Sequence, residues 1–321
     1  MRIEQLLAGG APRALFDGAE RWVQALVQET AALPEPESTR WSALFEHLLA
    51  ASAQKPSRKW LKEALYFNSD RPTDGVDRDP RLNLPFDIYV SRRACLECPW
   101  EPAQNLGAPV NGPRAVDNDG AAALSHDGRL LFWSSNREGS IGGSEDLWMT
   151  WRANPGDDSG WGEPVNLGPH VNTAAHESGP SYVVAAPCGH AQLYFGRGQE
   201  VMVVTISREG EALAPAVRVA GVARWGSPSV RLDGREMILW SSTKGGLGGA
   251  DVFVSTRANP TAPWPEPVNI GPPVNTAGGE LEAAISYDGQ SLVFSGTETR
   301  GFSLGRQDIW MALRTRGGEP R

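Results

Sequence analysis

The sequence predicts an all-β protein, a five-bladed β-propeller of four-stranded antiparallel blades preceded by a short α-helical segment. Three observations predict it. The chain is rich in turn formers, with 36 Gly and 25 Pro among 321 residues and 40% hydrophobic residues, which disfavours a helical bundle. One phrase recurs as Trp100 to Asn111, Trp161 to Asn172 and Trp264 to Asn275, each holding Trp, Asn, Gly, Val and Asn at matching offsets. Its copies start 61 and 103 residues apart, so a period near 50 with one degenerate copy is implied, as for propeller blades. A second phrase, Asp-Gly followed by an apolar run, opens at Asp127, Asp233 and Asp288, and is a strong hairpin signal.

Taken in chain order, residues 1–56 place Leu15/Phe16, Ala19, Trp22/Val23 and Leu26 at helical spacing. After the Pro34-Glu35-Pro36 break, Trp41, Leu44/Phe45 and Leu48 repeat the pattern, giving two amphipathic helices that pack on the ring or recruit a partner. Residues 57–321 form the propeller, in units of about 58–111, 112–172, 173–222, 223–275 and 276–314. Each unit reads strand A, Asp-Gly turn, strand B, Gly-rich loop, strand C opened by Asp, variable loop and strand D. The strand C aspartates are Asp87, Asp146, Asp251 and Asp308. The third unit is the degenerate one, with Pro187-Cys188-Gly189-His190 at its turn. The first unit has no evident strand A and the last no evident strand D, so residues near the two termini are expected to meet and close the ring.

Composition narrows the function. A formal net charge of -8 argues against a phosphate-binding surface and hence against nucleic acid. No apolar stretch is long enough to span a membrane, and the first ten residues carry an acid where an export signal needs an apolar core, so the expected location is cytoplasmic. Three cysteines agree with a reducing compartment. Zinc-protease and phosphate-loop motifs do not occur.

The phrases Glu-x-x-Pro-x-x-Ser-x-Asp-Gly-x-x-Leu-x-Phe-x-Ser, Gly-x-Gly-Gly-x-Asp and Trp-x-x-Pro-x-Asn-Leu-Gly resemble the WD40-like β-propeller repeat of the TolB type over roughly residues 60–314. That resemblance implies a propeller used to bind proteins or peptides.

Strand A is innermost in a blade, so its first residues surround one mouth of the central channel. Aligning the units puts Asp119, Glu177, Trp225 and Glu280 there, with His176, Asn172 and Asn275 nearby. Crowded carboxylates raise one another's pKa or attract a divalent cation, calcium being one candidate. Equally, each acid could cap its own strand as part of the repeat. Trp225 stands where other units place an acid, and could stack on a ligand or pack between blades. The loops after strand B carry Arg71, Arg137, Arg197, Lys244 and Arg300, a cationic rim for a carboxylate-bearing ligand or partners for the strand C aspartates. Cys95, Cys98, Cys188 and His190 could together bind zinc, or the cysteines could be free thiols.

The expected function is therefore binding of a protein, peptide, amine-bearing or small-molecule ligand at the acidic mouth. The alternative is a hydrolase or lyase acting in the same funnel on a sugar, lactone or natural product, through paired carboxylates or a bound divalent metal. No individual catalytic residue is assigned. A third reading makes the ring a support for partner-recruiting helices.

Overall fold

The structure is a computed structural model, and it describes residues 64–70, 85–93, 98–184, 190–223, 225–297 and 307–314. The two helices expected within 1–56 lie outside the described residues.

Five antiparallel sheets follow one another along the chain, as the repeat requires. Blade 1 holds β1 (Ala64–Ser69), β2 (Asp87–Arg92) and β3 (Gln104–Asn105). Blade 2 holds β4 (Asp119–Leu124), β5 (Leu130–Ser135), β6 (Asp146–Trp151) and β7 (Val165–Asn166). Blade 3 holds β8 (Glu177–Val184), β9 (Ala191–Arg197), β10 (Glu200–Ile206) and β11 (Val217–Ala223). Blade 4 holds β12 (Ser229–Val230), β13 (Glu236–Ser241), β14 (Asp251–Thr256) and β15 (Val268–Asn269), and blade 5 holds β16 (Glu280–Ile285), β17 (Ser291–Gly296) and β18 (Asp308–Leu313). Blades 1 and 5 are three-stranded among the described residues, lacking the inner and the outer strand respectively. They meet: Arg93 Nη2 lies 3.8 Å from Met311 Sδ, and Leu65, Phe67 and Trp100 share a hollow with Val293, Trp310 and Met311.

The core lies between blades. Leu130, Phe132 and Leu147 of blade 2 bury against Leu193, Phe195 and Ile206 of blade 3. Comparable layers join blades 3 and 4 through Tyr194, Val201, Leu239 and Trp264, and blades 4 and 5 through Ile238, Val252, Ile285 and Phe294. Each layer takes one face of two neighbouring sheets out of water, the dominant stabilisation in such a ring.

The repeated phrase has a direct mechanical meaning. Asn172 accepts from the Leu147 amide at 2.8 Å, donates to the Leu147 carbonyl at 2.9 Å and donates to Asn166 Oδ1 at 2.8 Å. Asn111 clamps Ile88 in the same way, and Asn275 clamps Val252. These asparagines satisfy backbone groups where strand D leaves the sheet. The Trp that opens the phrase lies under an arginine from the end of strand C, with Arg93 over Trp100 at 4.4 Å, Arg152 over Trp161 at 4.1 Å and Arg257 over Trp264 at 3.9 Å. The strand C aspartate secures the Gly-rich loop, Asp146 accepting from the Ile141 amide at 2.8 Å.

Neighbouring blades are also stitched near the axis. The first amide of strand A donates to a carbonyl just before strand C of the preceding blade: Asp119 to Phe86, Glu177 to Glu145 and Glu280 to Ala250, at 2.8, 2.9 and 2.8 Å. That stitch fixes the height at which side chains enter the channel.

Candidate functional site

The acids expected at the mouth are inside the blades. Asp119, Glu177 and Glu280 are each 0% exposed. Asp119 accepts from Arg137 Nη2 at 2.7 Å, from Trp133 Nε1 at 3.1 Å and from the Gly112 amide at 2.7 Å. Glu177 accepts from Arg197 Nε at 2.7 Å and from the Thr173 hydroxyl at 2.6 Å, while Glu280 accepts from the Thr276 hydroxyl at 2.5 Å and its amide at 3.0 Å. They cap strand A and hold the strand D to strand A loop.

The rim cations divide the same way. Arg137 and Arg197 pair with the strand A acids of their own blades, not with the strand C aspartates. Lys244 pairs with Glu266 at 2.8 Å, and Arg71 and Arg300 lie outside the described residues. Trp225 is 2% exposed, its ring edge-on to Phe253 at 4.8 Å, so it packs in the layer between blades 3 and 4. Asn172 and Asn275 are the buried clamps described above.

The zinc expectation is corrected in part: Cys98 is disulfide-bonded, and a disulfide sulfur is not a thiolate ligand. Cys95 and Cys188 lie outside the described residues, and His190 is exposed. Among the described residues no group of three or more His, Cys, Asp or Glu is placed to hold a metal ion, and no helix is long and apolar enough to cross a membrane.

What faces the channel is set by a bulge. In β4, β8 and β16 the pairing register shifts just after the second residue, between Gly120 and Ala123, Ser178 and Ser181, and Leu281 and Ala284. The third residue then takes a left-handed backbone, with φ of 50° at Ala121, 61° at Gly179 and 48° at Glu282. At Gly179 a Cβ would run into Ser227 of blade 4, so only glycine fits there. On blade 5 the same position carries Glu282, a non-glycine residue in a conformation that L side chains disfavour by about 1 kcal/mol or more.

Glu282 reaches solvent, yet protein surrounds it closely. Burial pushes its carboxyl above the usual range, and the negative charge of Glu145 pushes it further. Among the described residues it makes no hydrogen bond or ion pair. Glu145 comes from the residue before strand C of blade 2, next to the interblade stitch. Its Oε1 accepts from Asn118 Nδ2 at 2.6 Å, and its Oε2 stands 3.8 Å from Nδ1 of His176, which is half exposed. His176 is the one expected mouth residue that belongs to this cluster. Asn118 is held in turn, its amide donating to Asn136 Oδ1 at 2.7 Å and its Oδ1 accepting from the Phe86 amide at 2.8 Å.

Reading the sequence by what recurs passes over Glu282 and Glu145. The signal was there in reverse: the third residue of strand A is Ala121, Gly179 and Glu282, with Ser227 at the aligned position of blade 4, and the residue before strand C is Phe86, Glu145, Gln199, Ala250 and Gln307. Each set holds a single carboxylate.

No family model matches the chain, and no curated protein matches it. It is similar to solved structures of glycoside hydrolases. A GH43 β-xylosidase/α-arabinofuranosidase from a compost microbial metagenome, solved with xylotriose, superposes with a TM-score of 0.54 at 12% identity, covering 80% of this chain and 89% of that one. A GH43 endo-arabinanase from Bacillus licheniformis gives 0.53 at 13% identity, over 79% and 91%. A GH43_1 enzyme from Xanthomonas citri, solved with xylotriose, gives 0.52 at 16% identity, over 80% and 85%. At these identities the likeness is one of fold.

Two expectations are thereby corrected. The resemblance to the TolB-type WD40-like repeat gives way, since no family model matches and the similar solved structures are GH43 propellers. Its phrases are accounted for by blade construction: asparagine clamps, loop-holding aspartates and arginine-tryptophan stacks. The binding-only reading falls with it, because the acidic ring meant to hold a ligand is buried and paired.

Proposed function

We propose that the chain is a hydrolase acting on glycosidic bonds in the channel mouth, with Glu282 as the general acid and Glu145 as its carboxylate partner. The observation that carries this reading is Glu282: a non-repeating acid on the innermost strand, in a left-handed backbone and open to solvent, with its pKa raised beside a second acid. A carboxyl whose hold on its proton is strengthened suits proton donation to a leaving oxygen, and a second carboxylate beside it suits activation of water. As the anomeric carbon–oxygen bond breaks, the Glu282 proton passes to the departing sugar oxygen. Water bonds to the anomeric carbon and yields its proton to Glu145. Asn118, donating to Glu145 Oε1, holds that carboxylate in one orientation. The GH43 propellers that share the fold make arabinose- and xylose-containing glycosides the first substrates to try.

The test is release of 4-nitrophenol from the aryl α-L-arabinofuranoside and β-D-xyloside, and of reducing ends from arabinan and xylan. Wild-type protein should turn over at least one of them. Glu282→Gln and Glu145→Gln should each lose about 10²- to 10⁴-fold in kcat while remaining folded, the Glu282→Gln unfolding midpoint being no lower than that of wild type. Absence of turnover on all four substrates, or full activity in Glu282→Gln, would overturn the reading.

A further inference from the structure

We propose that Tyr287 is the floor of the channel, which makes it a blind pocket that accepts the end of a sugar chain and not its interior. This rests on the hydrolase reading above. Tyr287 lies in the Asp-Gly turn between β16 and β17, at the opposite end of strand A from the mouth. Its hydroxyl donates to the backbone carbonyl of Leu124, the last residue of β4 in blade 2. Its ring stands edge-on to His126 in the turn of that blade, with centroids 5.1 Å apart and planes at 88°.

The reach of this contact is unusual for the ring. Blade 1 lies between blades 5 and 2, and among the described residues it contributes no strand inside β1. Tyr287 crosses that interval at the base. A third blade joins it, because the neighbouring Tyr182 of β8, together with Asp127, adds to the effect of burial in pushing the Tyr287 phenol well above its ordinary range. The matching turn positions in blades 2 and 4 are His126 and Leu232, neither of which has the length and terminal hydroxyl to span the axis.

Glu282 is the third residue of β16 and Tyr287 lies in the turn that ends that strand, so the acid sits over a closed end. A polymer cannot pass through such a channel, and the bond presented to Glu282 is one near a chain terminus.

Two measurements test this. The first is a spectrophotometric phenol titration at about 295 nm of wild type and Tyr287→Phe, which reads the floor without needing turnover. The phenol lost in the variant should be one that ionises above the ordinary phenol range near about 10. The second is product analysis on linear arabino- and xylo-oligosaccharides: wild type should release end units, and Tyr287→Ala should add internal fragments. A Tyr287 that ionises in the ordinary phenol range near about 10, or internal fragments from wild type, would overturn the proposal. Absence of any turnover would remove the hydrolase reading, and the titration would still decide whether Tyr287 seals the base.

Discussion

Glu280 and Glu282 stand two residues apart on β16, in opposite surroundings. Glu280 is fully buried and bonded to Thr276 through its hydroxyl and its amide; Glu282 is exposed, with no hydrogen bond or ion pair among the described residues. The same step separates Asp119 from Ala121 and Glu177 from Gly179. At the first position an acid recurs in three blades, and at the third every blade differs. A residue repeated around a ring serves what is itself repeated, the construction of a blade. A residue that occurs once serves the one thing the blades share, the channel.

The largest effect expected from this contrast is on stability. Asp119→Ala leaves the Arg137 guanidinium buried without its carboxylate, and should cost about 3–5 kcal/mol in urea unfolding at neutral pH. Glu282→Gln should cost nothing in the same experiment. An Asp119→Ala protein as stable as wild type but inactive would erase the distinction, because the repeated acid would then be a chemical group. Next in size is Asn275→Ala. It strands the Val252 amide and carbonyl, and should cost about 2–3 kcal/mol while leaving the KM for any glycoside unchanged.

How much of this could be read in advance follows from the same distinction. The blade order, the degenerate third copy and the first and last blades, three-stranded among the described residues, were legible, because every unit spends the same residues on the same backbone problem. The partners of the arginines were not, because they depend on cross-strand register. Arg197 sits directly opposite Glu177 in the β8 to β9 pairing, and Arg137 lies two residues beyond Ser135, the partner of Asp119. The strand C aspartates that seemed to await those arginines are engaged by loop amides, as Asp146 is by Ile141. Glu282 escaped for a related reason. Strict alternation along a strand would give it the same face as Glu280, and the bulge after Leu281 turns it out to solvent. The floor escaped because His126, Leu232 and Tyr287 share a turn position but no chemistry.

The smallest effect sharpens the comparison most, because it separates backbone from charge at Glu282. Its folded pKa lies above the unfolded value of about 4.3, so the folded state holds the proton more tightly. The protonated form is tolerated at low pH. A penalty grows as pH rises through the unfolded pKa, and is complete once pH has passed the folded one. Glu282→Gln removes that penalty and keeps the left-handed φ, so its advantage over wild type should be absent near pH 3, appear as pH rises, and level off. Glu282→Gly removes the penalty and the backbone strain together. It should exceed Glu282→Gln by about 1 kcal/mol, reduced by glycine's greater entropy when unfolded, and that excess should not vary with pH. Urea midpoints for the three proteins between about pH 3 and 8 measure both terms. A flat wild-type against Glu282→Gln difference would mean that Glu282 is as well solvated as a surface acid, and the case for it as a proton donor would go with it.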